Sequence, residues 1–414
     1  PEKIQRDWLE RELRGSDAEA KLLFSHYPPF IYAPDEADHY DNYAEPGRSW
    51  LLNLAAETGV RAIFSGHVHH FFYNRFKGVH LYYLPATSFI RQDYAELFPV
   101  GPTSEFGRDD IGKLGITIVQ VSHHGMAVTV HNTNGAEGAF TGPPPKAPKP
   151  MGVIPHLRHA WHLPKALPYN GPMEEFSRKL ARNDYPLLRL TQLGIDTIRA
   201  PASDLIDPAA RARIDDWIAL GKKVVPFSAG PAAADIVEAC RELQCAVPAV
   251  EVLVREPEPD CLSGWRDLPI WLSKITTSAD NADLSRTFAH AVSAGALPDQ
   301  AADLAKIAVE AGAVGIVVQI PWEQELATAI ERGHAAVEST GLVLVLNLCL
   351  RPSDPAKSNF DQVAISKRIA GARDLTVGDS RVILQIDTFE DVDRGYGPRC
   401  GLIDRLSNIR GCSY

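Results

Sequence analysis

Apolar positions in the first part of the chain alternate between two spacings. Residues 1–15 carry Ile4, Trp8, Leu9 and Leu13 at a helical repeat, which predicts an amphipathic helix. The run AKLLFSHYPPF then reads as a short buried strand that stops at a Pro-rich turn, and SWLLNLAAETG as a helix closed by Gly59. VRAIFSGHVHH is a second buried strand, with its turn at Gly66, and VHLYYLPATSF is a third. GITIVQVSHHGMAVTVHN predicts two strands joined at Ser122–Gly125, a hairpin. Residues 1–140 are therefore expected to form one layered αβ domain.

A linker is expected at 141–150, where five of ten residues are proline. That content excludes helix and central strand and favours an extended spacer. Residues 151–414 then repeat strand and helix. Strands are predicted at 151–160, 195–201, 222–228, 248–254, 269–275, 313–320, 342–350 and 381–389. Helical patterns such as DPAARARIDDWIALG and DQAADLAKIAVEAG lie between most of them, several ending in Gly just before the next strand. Eight strands with intervening helices over this span match a (β/α)8 barrel. An open doubly wound sheet would carry a Gly-rich phosphate loop after an early strand, and the sequence has none.

Composition narrows the partners. The chain has 414 residues, 45% apolar and 23% charged, enough for two cores. A net charge of -10 argues against nucleic acid or an anionic membrane as the main partner. No apolar run approaches the ~18 residues a membrane span needs. The six cysteines (Cys240, Cys245, Cys261, Cys349, Cys400 and Cys412) show no C-x-x-C spacing and read as reduced thiols, which favours a soluble, cytoplasmic setting. The chain opens without Met inside a helical pattern, so a longer parent chain is expected, with any leader lying ahead of Pro1.

Histidines cluster at predicted strand ends. His26 follows KLLF and a serine; His67 and His69 follow RAIF and Ser-Gly. Two parallel neighbouring strands would bring all three to one sheet edge. Imidazole suits Zn, Fe or Mn, and the H-x-H spacing lets two rings face two ions. Gly66 is expected to supply the sharp turn. His70 falls outside the spacing and reads as a surface or supporting residue. His123 and His124 sit in a hairpin turn and are expected to be solvated. Pro-interrupted sequence around His156, His159 and His162 disfavours a metal site there.

SHYPPF and SGHVHH together resemble the fourth and final blocks of the calcineurin-like metallophosphoesterase superfamily, preceded here by the helix RDWLERELRG. The resemblance implies an αββα sandwich, two divalent ions of the Fe, Mn or Zn class, and hydrolysis of a small phosphoester by a metal-bridging hydroxide. It assigns His26 and His67 to one ion and His69 to its neighbour. The family's earlier blocks, D-x-H, G-D-x-x-D and G-N-H-[DE], are absent. The expectation is thus the C-terminal half of such a domain, lacking the first metal-binding blocks and itself inactive, followed by the barrel.

Barrel enzymes place their chemistry at the C-terminal strand ends. Arg199, Lys274 and Asp387 are the candidate substrate-binding residues there, for a phosphate or a carbohydrate. Glu256, Glu323, Asp387 and Glu390 are the carboxylates from which an acid/base pair for glycoside chemistry would come. Ordinary rim charge is the plainer reading of most of these. The C-terminal stretch loosely resembles glycosidase-like barrels. The alternative function is therefore a glycoside-active or sugar-binding barrel beside a non-catalytic phosphoesterase remnant.

Overall fold

The computed structural model describes residues 2–95, 113–123, 125–132, 152–157, 161–167, 179–229, 232–276, 294–350 and 362–387. The expected linker at 141–150, His124, His159 and Glu390 lie outside them.

Helix α1 (Glu2–Gly15) leads into β1 (Lys21–Ser25); α2 (Gly47–Glu57) then precedes β2 (Val60–Ser65), β3 (Phe72–Phe76) and β4 (Val79–Tyr83). The short α3 (Gln92–Ala95) follows. These strands form one sheet in the order β1-β2-β4-β3, parallel except for the β3–β4 hairpin. Its central strands β2 and β4 are buried along most of their length because both faces are covered. Ile63, Phe72, Leu81 and Tyr83 pack with Leu52, Leu54 and Ala55 of α2. Ala62, Phe64, Tyr73 and Tyr82 join the core that surrounds the second sheet. The predicted hairpin is present as β5 (Gly115–Ser122) and β6 (Gly125–Asn132), a separate two-stranded ribbon with His123 exposed in its turn.

The second sheet has eight strands, all parallel. They are β7 (Val153–Pro155), β10 (Thr197–Pro201), β11 (Lys223–Ala229), β12 (Val250–Val254), β13 (Ile270–Lys274), β14 (Gly315–Ile320), β15 (Val343–Cys349) and β16 (Val382–Asp387). Each falls inside or within a residue of its predicted segment. The order runs from β10 through β16 to β7, and His156 bridges Arg199 in parallel, with Leu157 N–H donating to Arg199 O at 3.1 Å. The sheet is thereby nearly closed into a barrel. Strand parity separates two surfaces. Ile198, Val224, Val252, Leu272, Val318, Leu346 and Ile386 face the surrounding helices, while Ile154, Val225, Ala249, Trp271, Val317 and Val345 pack against one another inside.

Local chemistry explains the outer helices. In α5 (Pro208–Ala219), Asp207 caps the N-terminus by accepting from Ala209 N–H and Ala210 N–H at 3.1 and 2.8 Å, with proline in the first turn. Helix α7 (Ala301–Ala311) ends at Gly312, whose φ of 77° is the left-handed value that closes a helix. Helices α8 (Leu326–Val337) and α9 (Gln362–Thr376) complete this ring, along with α6 (Ala234–Glu242).

Strands β8 (Pro164–Ala166) and β9 (Leu180–Arg182) with α4 (Tyr185–Gln192) were not anticipated from periodicity. Three-residue strands are too short to show one. Leu167 and Ala181 beside β8 and β9 belong to the core of the first sheet, whereas Leu187, Leu188 and Leu190 of α4 belong to the core that surrounds the second.

Candidate active site at the histidine edge

Strands β1 and β2 are parallel neighbours paired Ser25 to Ser65, which delivers the residues after them to one edge. Ser65 Oγ and Ser25 Oγ lie 2.9 Å apart, and Ser25 Oγ donates to Tyr27 O at 2.8 Å, fixing the loop that carries His26. Two of the three expected histidines, His26 and His67, meet there. His26 Nε2 and His67 Nδ1 are 3.1 Å apart, with ring centroids at 5.0 Å.

The turn is not made as expected. Gly66 has no left-handed φ, and a Cβ added there would meet only His26 O at an ordinary 3.7 Å. The unusual backbone belongs to the histidines: φ is 66° at His67 and 54° at His69. Val68 N–H donates to Gly66 O at 2.8 Å, closing a three-residue γ-turn centred on His67. Left-handed backbone at a β-carbon-bearing residue costs on the order of 1 kcal/mol and persists where surroundings hold it. Here Tyr27 and Tyr40 pack on the His67 ring at centroid distances of 4.1 and 4.9 Å.

Asp41 organises the other side of His67. Its fully buried carboxylate lies 3.0 Å from His67 Nε2, pairs with Arg91 and Lys179, and accepts from Tyr94 O–H at 2.8 Å. Asp93 pairs with the same two cations, Lys179 at 2.5 Å and Arg91 at 3.3 Å. Burial pushes the Asp41 pKa up, but His67, Lys179 and Arg91 outweigh it and hold it well below the usual carboxylate range. Arg91 Nη1 is 3.3 Å from His67 Nε2, farther than the carboxylate. The nearer carboxylate favours hydrogen on Nε2, which leaves the Nδ1 lone pair facing His26. A carboxylate behind a histidine is the usual support of a metal-ligating imidazole.

None of Asp41, Arg91, Asp93, Tyr94 or Lys179 was apparent from the sequence. RQDYA carried the polar density of a site, but Lys179 had no local signal at all.

His69 meets Phe89 edge-on at 4.3 Å, and its Nδ1 is buried without a partner. His70 corrects its expected surface placement: it is buried at 1% exposure, near Phe72 and Tyr94, with neither ring nitrogen paired. Burial, with Lys113 adding to it, holds its pKa down to about 3, so it is neutral at ordinary pH.

Two imidazole nitrogens on one tetrahedral ion lie about 3.3 Å apart, close to the 3.1 Å between His26 and His67. Catalytic ions take three or more protein ligands. Among the described residues no group of three His, Cys, Asp or Glu side chains is arranged to hold a metal. The pair fits as part of a ligand set; the described residues do not complete one.

Comparisons with known proteins give a short partial likeness. A segment of 65 residues is 38% identical to the Danio rerio protein named serine/threonine-protein phosphatase CPPED1, covering 15% of this chain and 21% of that protein. The Mus musculus protein of the same name is 34% identical over 68 residues, 16% of this chain and 22% of its own. The likeness is to a phosphatase. The chain thus matches only about a fifth of the length of these relatives, and no family model matches it.

In the barrel, Arg199 is buried inside, Lys274 ends β13 half-buried, and Asp387 is the last residue of β16. His156 lies inside with its Nδ1 3.1 Å from Arg199 Nη1. Among the described residues no helix is long and apolar enough to cross a membrane.

Proposed function

We propose that residues 1–140 are the C-terminal share of a calcineurin-like αββα phosphoester hydrolase domain, followed after residues 141–150 by a (β/α)8 barrel over 151–414. The observation that carries it is the convergence of His26 Nε2 and His67 Nδ1 at 3.1 Å, with the Asp41 carboxylate behind His67. The short phosphatase likeness supports the same reading. His26 and His67 are proposed to serve one of two divalent ions and His69 the other, with the remaining ligands supplied from outside the described residues. Arg91 and Lys179 add positive charge beside this edge and suit an anionic phosphoester, though Asp41 and Asp93 compensate them in the resting site.

Metal titration and phosphodiester turnover of the chain extended upstream by about 150 residues, a typical domain length, test this. Mn²⁺ or Zn²⁺ is expected to bind stoichiometrically, and His67→Ala to weaken it about tenfold or more. Equal metal affinity in wild type and His67→Ala, or no binding in either, would sink the assignment. Phosphodiester turnover that survives His67→Ala unchanged would do the same.

A further inference from the structure

We infer that the inside of the barrel binds a neutral polyhydroxylated small molecule, a sugar or cyclitol, on Arg199, Glu251, Ser273, Asn347 and Gln385. This site is independent of the histidine edge. Strand parity puts all five on the inward surface, two residues on from Thr197, Ala249, Trp271, Val345 and Ile383 respectively. Barrel interiors stack in layers drawn from alternate strands. Arg199, Glu251 and Gln385 come from the alternate strands β10, β12 and β16, and they touch: Arg199 Nε donates to Glu251 Oε2 at 2.5 Å, and Gln385 Nε2 donates to the same oxygen at 3.2 Å. Ser273 and Asn347 come from the strands of the other set, β13 and β15.

An apolar set would fill this space at no electrostatic cost, as Val225, Val317 and Val345 do elsewhere inside the barrel. Instead, five polar atoms are buried here without partners: Arg199 Nη2, Glu251 Oε1, Ser273 Oγ, Asn347 Oδ1 and Gln385 Oε1. Their residues are between 0% and 2% exposed. Native interiors leave few such atoms, and a cluster inside one barrel marks a place where something else supplies the hydrogen bonds.

The inventory states what that is. Asn347 Nδ2 is committed to Ala294 O and Gln385 Nε2 to the Glu251 carboxylate, both pure acceptors. The amide orientations are therefore fixed, and both free atoms are carbonyl oxygens. With Glu251 Oε1 they make three acceptors; Arg199 Nη2 brings two N–H donors, each amide nitrogen keeps a second N–H, and the Ser273 hydroxyl serves either way. A ligand must bring both donors and acceptors. Arg199 and Glu251 cancel each other's charge, so neither an anion nor a cation gains from entering. Hydroxyl groups on a compact neutral frame meet both conditions.

The test is thermal shift and calorimetry on the full chain with millimolar glucose, galactose, mannose and myo-inositol, and with inorganic phosphate and methylammonium as charged controls. Saturation is required, because excluded sugars stabilise proteins without binding. Ser273→Ala is the variant of choice: its hydroxyl has no partner within the protein, so the fold should lose nothing. We expect at least one neutral polyol to bind saturably and Ser273→Ala to weaken it about tenfold, the worth of one hydrogen bond. The inference is overturned by the absence of saturable binding by any neutral polyol, by equal affinity in Ser273→Ala, or by preference for phosphate or methylammonium. The first two outcomes would mean that these residues hold water alone, and the third that they take an ion.

Discussion

Changing Asp184 to asparagine probes what fastens the first sheet to the barrel. Asp184 is fully buried. Its Oδ2 accepts from Tyr73 N–H of β3 at 2.9 Å, and Oδ1 lies 2.7 Å from Arg213 Nη2 of α5 and 3.3 Å from Arg182 Nε of β9. The Arg213 contact is an ion pair by distance without hydrogen-bond alignment, so its worth is chiefly coulombic. Asparagine keeps the volume and can still accept from Tyr73, but it removes the charge between two buried guanidinium groups. Losing one partner of a buried pair costs about 3–5 kcal/mol. Arg213 retains Asp216 at 3.2 Å, and Arg182 retains Asn74 Oδ1 at 2.5 Å and Tyr73 O at 3.2 Å. These place the expected loss near the lower end, about 3 kcal/mol, against a typical total of 5–15 kcal/mol. The pH profile should change as well. Burial raises the Asp184 pKa, but Arg213 and Arg182 outweigh it and lower it below the ordinary value. A carboxyl depressed in the folded state stabilises above its unfolded pKa, about 3.9, and that stability drains away as pH falls toward the folded value. Wild type should therefore weaken below about pH 4 by a share that Asp184→Asn lacks. Urea unfolding followed by tryptophan fluorescence and far-ultraviolet dichroism, at neutral pH and in steps through the acid range, measures both. A loss under about 1 kcal/mol with an unaltered acid limb would refute the reasoning.

Three further outcomes follow from local geometry. Gly295→Ala should destabilise by about 2 kcal/mol or more, since φ is 111° and an added Cβ would stand 2.6 Å from Gln319 N; denaturant midpoints check it. Asp207→Ala should cost about 1 kcal/mol by releasing two helix N–H groups of α5, measured the same way. Cys240 is fully buried and burial pushes its thiol pKa up to about 11, whereas Cys245 is exposed; a disulfide reagent at mildly alkaline pH should label Cys245 quickly and reach Cys240 only on unfolding, as peptide mapping would show.

The eight barrel strands were readable because each is a run of apolar residues bounded by turn signals, and because helices such as α7 announce their ends with glycine. The same reading passed over β3, FYNRF, whose Asn and Arg break the apolar pattern. Asn74 is polar there because its Nδ2 donates to Ile31 O, a demand set by a loop 43 residues away. Arg199 sits at a predicted strand end as a candidate substrate-binding residue; strand parity turns it inward, where Glu251 and the Phe227 ring, 3.8 Å from the guanidinium carbon, receive it.

At the histidine edge the sequence showed the candidate ligands and concealed the residues around them. His26, His67 and His69 were recognisable because motif spacing is a local property. Asp41 lies in PDEADHYDNY, among acidic residues that look like solvated loop, and nothing in that stretch says which carboxylate turns inward. The choice is made by Lys179, which lies 138 positions along the chain and pairs with Asp41 and Asp93 at once. A lysine with 2% of its side chain exposed needs both carboxylates to remain charged there. The segment after the proline-rich stretch therefore does more than follow the first sheet: through Lys179 it neutralises the carboxylate that orients His67. Removal of that segment should loosen His67 even though no histidine is touched, which couples the chemistry of the first sheet to the presence of the second.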